Sequence, residues 1–179
     1  MAAPAGSDRV VRPAVVLIGP PGSGKSSVGR AVARLTGLPL RDTDSDIESV
    51  AGRPISDIFS ADGEEAFRSM ESAAVADALA THAGVLSLGG GAILAPSTRE
   101  LLQGHTVVYL SVTMPTGVRR TGLADHRPLL VGLNPRATYK ALLDARIPLY
   151  REVATIEVST DDRTVAQIAT LIVSQAGLA

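Results

Sequence analysis

Eight consecutive residues, Gly19-Pro20-Pro21-Gly22-Ser23-Gly24-Lys25-Ser26, fit the pattern G-x-x-x-x-G-K-[ST], and their neighbours narrow the local fold sharply. Before them, residues 14–18 (AVVLI) form a short apolar run rich in β-branched side chains, as expected of a parallel strand buried on both faces. After them, Val28, Ala31, Val32 and Leu35 recur at helical spacing until Gly37 stops the run. Strand, glycine loop and helix together are the setting in which this pattern cradles phosphate. The glycines let backbone N–H groups converge on anionic oxygens, and the helix N-terminus adds the positive end of its dipole. Gly22, Ser23, Gly24, Lys25, Ser26 and Ser27 are the expected nucleotide contacts. Lys25 is placed to reach the β- and γ-phosphates, and the Ser26 hydroxyl to ligate Mg²⁺. Only Lys25 and Lys140 are lysines among 17 basic residues; the other 15 are arginines. A lysine at the motif position of so lysine-poor a chain strengthens the motif, whereas any single arginine is weaker evidence for anion recognition. The segment predicts binding of a nucleoside triphosphate.

The remaining pattern predicts an α/β fold: a central five-stranded parallel sheet flanked by helices on both faces. Four further apolar runs, at 38–40, 85–88, 106–110 and 155–158, alternate with helical patterns. Asp62 is suited to cap a long helix running through Ala80, with Glu64 and Glu65 in its first turn. Helical character returns at 116–120, 137–153 and 165–174. Residues 121–136 (TGLADHRPLLVGLNPR), with two glycines and two prolines, read as a loop that serves as a mobile lid. At 179 residues the chain fits one domain, expected over 11–179 behind a disordered tail at 1–10.

Several chemistries are excluded by composition. There is no cysteine, so disulfides, thiolate metal sites and cysteine nucleophiles are absent. A formal net charge of −1 gives no electrostatic footprint for nucleic acid or an anionic membrane. No apolar run approaches the roughly 20 residues that span a bilayer, and the first residues lack a signal-peptide pattern. A cytoplasmic monomer, with neither nucleic acid nor membrane as partner, is the expectation.

A phosphate loop of this kind needs a carboxylate for the metal or its water shell. The runs ending at Leu88 and Leu110 supply none, whereas Asp42-Thr43-Asp44 follows Leu40 and Arg41 directly. In extended chain the two carboxylates would point the same way, one serving the metal's waters and the other an acceptor hydroxyl. Alternatively, Asp44 or Ser45 caps a helix over 46–50. Gly89-Gly90-Gly91 follows the third strand, either to relieve a tight turn or to let a ligand approach the backbone. Arg68 and Arg146 would form a carboxylate clamp if the fold brought them together near Asp44.

With these residues in view, the chain resembles the shikimate kinases of the small bacterial type, single-domain P-loop kinases with a nucleoside monophosphate kinase-like fold. The resemblance runs from about residue 14 to 158 and is carried, in order, by GPPGSGKS, LRDTDSDIE, DIFSADGEEAFRSME, LSLGGGA, RPLL and ARIPLYREVA. It implies ATP- and Mg²⁺-dependent phosphorylation of the 3-hydroxyl of shikimate, a step towards chorismate and the aromatic amino acids. It implies Asp44 as the base, Asp42 on Mg²⁺ through water, and Arg68 and Arg146 on the shikimate carboxylate. Backbone at Gly89, Gly90 and Gly91 would border the ring, with Phe59, Phe67 and Glu71 lining or bracing the pocket. Arg127 would close on the phosphates from the lid, and Arg120 would stack on adenine. After the last strand, 159–164 (STDDRT) lacks the Asn-Pro often found near adenine in such kinases, and Arg163 is the candidate substitute. The alternative is a related small P-loop kinase acting on another polyol acid such as gluconate.

Overall fold

Four of the apolar runs become strands of a single parallel sheet, whereas the run expected at 38–40 only leads into its strand, which spans Leu40–Asp42. The computed structural model describes residues 11–121 and 134–178. Strands β1 (Val15–Ile18), β2 (Leu40–Asp42), β3 (Val85–Ser87), β4 (Val107–Ser111) and β5 (Ile156–Ser159) lie in the order β2-β3-β1-β4-β5. Every pairing is parallel, with Val16 beside Leu86 on one side and beside Val107 on the other. All of β1 is buried because it is covered on both faces. Val16 and Ile18 enter a layer with Val75, Leu86, Tyr109 and Tyr150, while Val15 and Leu17 enter one with Val28, Val32, Val108 and Ile168. No polar alternation survives in such a strand, which is why the run AVVLI reads as it does.

Helices α1 (Lys25–Thr36) and α7 (Val165–Gln175) cover the second layer. The first is covered mainly by α3 (Ile55–Thr81) and α6 (Pro135–Val153), with α4 (Pro96–Leu101) packed against α3. Helices α2 (Thr43–Ala51) and α5 (Met114–Thr121) complete the set. The chain leaves β1 towards β2 on one side and later crosses to β4 on the other. That reversal opens a crevice at the carboxyl ends of β1 and β3, where ligands of open α/β sheets bind.

Three expectations about the helices are corrected. The helix expected to start at Asp62 starts at Ile55 and contains a break at Gly63 (φ 84°, ψ 172°). Ile55, Ile58 and Phe59 already recur at helical spacing and pack with Ile47 and Phe67, while Asp62 pairs with Arg53 rather than capping. The helix expected over 46–50 starts at Thr43, and its cap is Asp42, whose carboxylate accepts a hydrogen bond from the Asp44 amide at 3.0 Å. Asp44 therefore lies in a first helical turn, not in extended chain. The short α4 and a 3₁₀ turn over Ala92–Leu94 were not anticipated. Of the expected lid, Thr121 ends α5, Asn134 caps α6 and Pro135 opens it. Residues 122–133, with Arg127, lie outside the described residues, as does the expected tail at 1–10. Among the described residues no helix is long and apolar enough to cross a membrane.

Candidate active site

The phosphate loop leaves the buried end of β1 and turns into α1 through Gly22 (φ 80°) and Gly24 (φ 90°). Both lie in the left-handed region, where any side chain would be strained. Gly24 is the N-cap of α1 and offers no side chain to its first-turn amides, which are thereby left to an anion. Ser23 is fully buried, its hydroxyl without a hydrogen-bond partner, and its amide donates to Pro20 O at 3.2 Å. The Lys25 ammonium donates to Gly19 O at 2.7 Å and Pro20 O at 3.2 Å, folding back over its own loop.

Gly22, Lys25 and Ser26 form one wall of a cleft of about 490 Å³. Asp42 and Asp44 enter the same cleft from the start of α2. Burial pushes the Asp44 carboxyl up to about 6; the Asp42 carboxylate adds to the rise, Lys25 opposes it, and Glu71 and Glu48 add further. A carboxylate so poised is ionised at neutral pH yet able to take a proton, as suits a general base.

Opposite stand Arg68, Glu71, Phe59 and Phe67 from α3 and Arg146 from α6. The two phenyl rings meet at 4.6 Å, and the Arg68 guanidinium lies 5.3 Å from the Phe67 ring centre. Arg68 Nη1 donates to Glu71 Oε2 at 2.6 Å. Burial raises the Glu71 carboxyl against the opposing pull of Arg68. Arg146, also buried, donates from Nη1 to Gly90 O at 3.0 Å. Two cationic forks, left open by the sequence, thus meet in one pocket with the Asp44 carboxyl.

The three glycines stand at a turn, closed by the Ala92 amide donating to Gly89 O at 3.1 Å, and each also lets other protein groups approach closely. A Cβ on Gly89 would stand 2.5 Å from Asp44 Oδ1 and 2.7 Å from Glu71 Oε1. One on Gly90 would crowd Gly19 O and Pro21 at 3.3 Å, and one on Gly91 would overlap the Arg68 guanidinium. Gly90 and Gly91 line the cleft directly, whereas Gly89 supports it from behind the two carboxylates.

Arg120 and Arg163 lie outside the cleft's lining, on the β5 side. Arg120 donates to Thr160 Oγ1 at 2.8 Å and Thr160 O at 2.7 Å, and Arg163 to Ser159 O at 2.8 Å. Both guanidinium groups are thus tied to the turn after β5. Ser27 is exposed on α1, beside Arg30.

Comparison with known proteins gives this arrangement a lineage. The family model described as shikimate kinase matches residues 21–176. The chain belongs to the shikimate kinase family. It is 61% identical over 149 residues to a shikimate kinase of Saccharopolyspora erythraea, covering 83% of this chain and 85% of that one. It is 60% identical over 157 residues to a shikimate kinase of Salinispora tropica, covering 88% and 93%. The solved shikimate kinase from Acinetobacter baumannii in complex with shikimate superposes with a TM-score of 0.88 at 36% identity, over 96% of each chain.

For a member of the shikimate kinase family, the cleft holds residues that sequence reasoning passed over: Pro21, Glu48, Pro54, Ile55, Ser56 and Leu88. Glu48 stands one helical turn after Asp44 and accepts from the Ile55 amide at 3.0 Å, joining α2 to the start of α3. Beginning α2 at Thr43 would have put Asp44 and Glu48 on one helical face, a signal lost when the helix was started at 46. Ile55 and Ser56 were lost with the first two turns of α3.

Proposed function

We propose that the protein transfers the γ-phosphoryl group of ATP to the 3-hydroxyl of shikimate, giving shikimate 3-phosphate and ADP. The observation that carries this reading is the convergence of Lys25 and Ser26, Asp42 and Asp44, and Arg68 and Arg146 on a single cleft. Phosphate loop, acidic pair and paired guanidinium groups match a donor, a hydroxyl acceptor and a carboxylate held within one cavity. The shikimate named in the complex with the Acinetobacter kinase supplies the acceptor's identity.

The chemistry asks the protein chiefly to position and to stabilise charge. The amides of Gly22, Ser23, Gly24, Lys25, Ser26 and Ser27 and the Lys25 ammonium hold the phosphates. Arg127 from the segment 122–133 adds charge to them, and Arg120 and Arg163 border the adenine. Asp44 takes the proton of the attacking hydroxyl. Arg68, oriented by Glu71, and Arg146 hold the acceptor carboxylate, while Phe59 and Phe67 wall the ring and Gly89, Gly90 and Gly91 let it approach.

Among the described residues no group of three or more His, Asp or Glu side chains could hold a metal ion by itself. The donors facing the phosphates, the Ser26 hydroxyl and the Asp42 carboxylate, are hard oxygens, a set that fits Mg²⁺ sharing its shell with water and substrate. Ser26 would ligate it directly and Asp42 through water. When bound, it neutralises charge on the β- and γ-phosphates. We take the protein to work as a cytoplasmic monomer.

Arg146→Ala is expected to raise the shikimate KM strongly while leaving the ATP KM near its parent value; an unchanged shikimate KM would remove Arg146 from the clamp. In Gly91→Ala the new methyl meets the far end of a flexible arginine. Stability should therefore change by less than about 1 kcal/mol while the shikimate KM rises, as thermal melts and initial rates would show. The activity itself is tested by phosphorus–proton correlation NMR of the product. Coupling of the new phosphate to the proton on C3 is expected, and a phosphate on another carbon would refute the assignment.

A further inference from the structure

Helix α6 carries two buried tyrosines, Tyr139 and Tyr150, with no counterpart among the roles assigned so far. Eleven residues apart, they fall on nearly the same face, about 16 Å along the helix axis from one another. Each hydroxyl reaches a backbone carbonyl in a different half of the cleft. Tyr139 Oη donates to Pro21 O in the phosphate loop at 2.7 Å. Tyr150 Oη donates to Gly90 O in the acceptor loop at 2.5 Å.

Both contacts are held from behind. Tyr139 lies against Gly117 of α5 so closely that a Cβ there would overlap its ring, and the Gly117 carbonyl abuts Gly22. Pro21 and Gly22 are thus gripped between α5 and α6 at the point where the loop turns through positive φ. Tyr150 stacks on Tyr109 of β4 with ring centres 4.9 Å apart and planes 16° apart. Arg146, one turn before it on α6, donates to the same Gly90 carbonyl. Gly90 O therefore takes two donors, one for each lone pair. Since N–H and C=O of a trans peptide point in opposite directions, fixing this carbonyl fixes the direction of the following amide.

We propose that α6 is a strut that sets the donor and acceptor loops independently, Tyr139 positioning the phosphate loop at Pro21 and Tyr150 positioning Gly90 and Arg146. Neither tyrosine touches a reacting atom; both act through the groups they hold. The assignment of the two loops to nucleotide and shikimate rests on the function proposed above.

The test is a crossed pair of hydroxyl deletions, Tyr139→Phe and Tyr150→Phe, which keep each buried ring. ADP and shikimate dissociation constants are measured separately by calorimetry, in the cold, with thermal melts recorded for each variant. Tyr139→Phe is expected to weaken ADP about three- to tenfold, the effect of one lost hydrogen bond, with shikimate affinity within about twofold of the parent. Tyr150→Phe should show the reverse. If either variant weakens both ligands alike, or neither, whatever its melting temperature, the strut does not exist. A parent enzyme that binds ADP but does not phosphorylate shikimate would overturn the proposed acceptor instead, and the Tyr139 arm would still be read from ADP alone.

Discussion

Asp44→Asn is expected to abolish most phosphoryl transfer and at the same time to raise the melting temperature. The rate loss follows from removing the group proposed to take the acceptor's proton, and general bases of this kind contribute about 10²–10⁴-fold. The gain in stability follows from the same environment. Burial holds the Asp44 carboxyl at about 6 against an ordinary value of 3.8, so the native state binds this proton more tightly than the unfolded chain. Stability linked to Asp44 is complete below about 3.8 and is lost as pH rises through about 6. At neutral pH the charged side chain is a net cost of order 1–3 kcal/mol, which a neutral amide of the same shape relieves. For a chain of this length that corresponds to roughly 2–10 °C. The difference from the parent should shrink as pH falls and vanish below about pH 4, where the parent is protonated too. The parent's kcat/KM should fall about tenfold per pH unit below about 6. A variant that melts at the parent's temperature at pH 7 would show that Asp44 is not desolvated, and one that retains parental activity would remove it from the chemistry.

Lys25→Met is expected to lower kcat by about 10²–10³-fold, the usual cost of deleting one preorganised donor to a developing negative charge. Methionine keeps an unbranched apolar stem, one atom shorter, but lacks the ammonium that now bridges Gly19 O and Pro20 O. Shikimate affinity without nucleotide should be nearly unchanged, because the proposed acceptor clamp, Arg68 and Arg146, lies on α3 and α6. One indirect effect is also expected. The Lys25 charge pulls the Asp44 carboxyl down, so its removal lets that carboxyl rise further and moves the acid limb of the residual pH profile to higher pH. Rates and calorimetry on one preparation decide the matter. An unchanged kcat would contradict the donor assignment, and a lost shikimate affinity would show that the loop and the clamp are not separable.

The sheet was legible because β1 is wholly apolar, β3 and β4 nearly so, and the phosphate loop marks the first of them. The strand order was not, since local pattern says nothing of which side of β1 a crossover returns to. Asp42 and Asp44 were found by elimination, yet their geometry was misread. A carboxylate that begins a helix and one that ends a strand look the same in sequence, and Asp42 does both. The early turns of α3 were missed because Ser56, Ser60 and Gly63 interrupt a segment whose apolar residues pack against α2 rather than the main core. Arg68 and Arg146 stand far apart in the chain, and only the fold could bring them together. Tyr139 and Tyr150 were invisible as positioning groups, because a buried tyrosine in a helix reads as core until its hydroxyl finds a backbone carbonyl.

The most direct measurement is ADP release from ATP and Mg²⁺ with shikimate, gluconate, a nucleoside monophosphate or no acceptor. Strong stimulation by shikimate alone is the expected result. Equal release without an acceptor, or stimulation by gluconate in place of shikimate, would contradict a cleft in which Asp44, Arg68 and Arg146 select the acceptor.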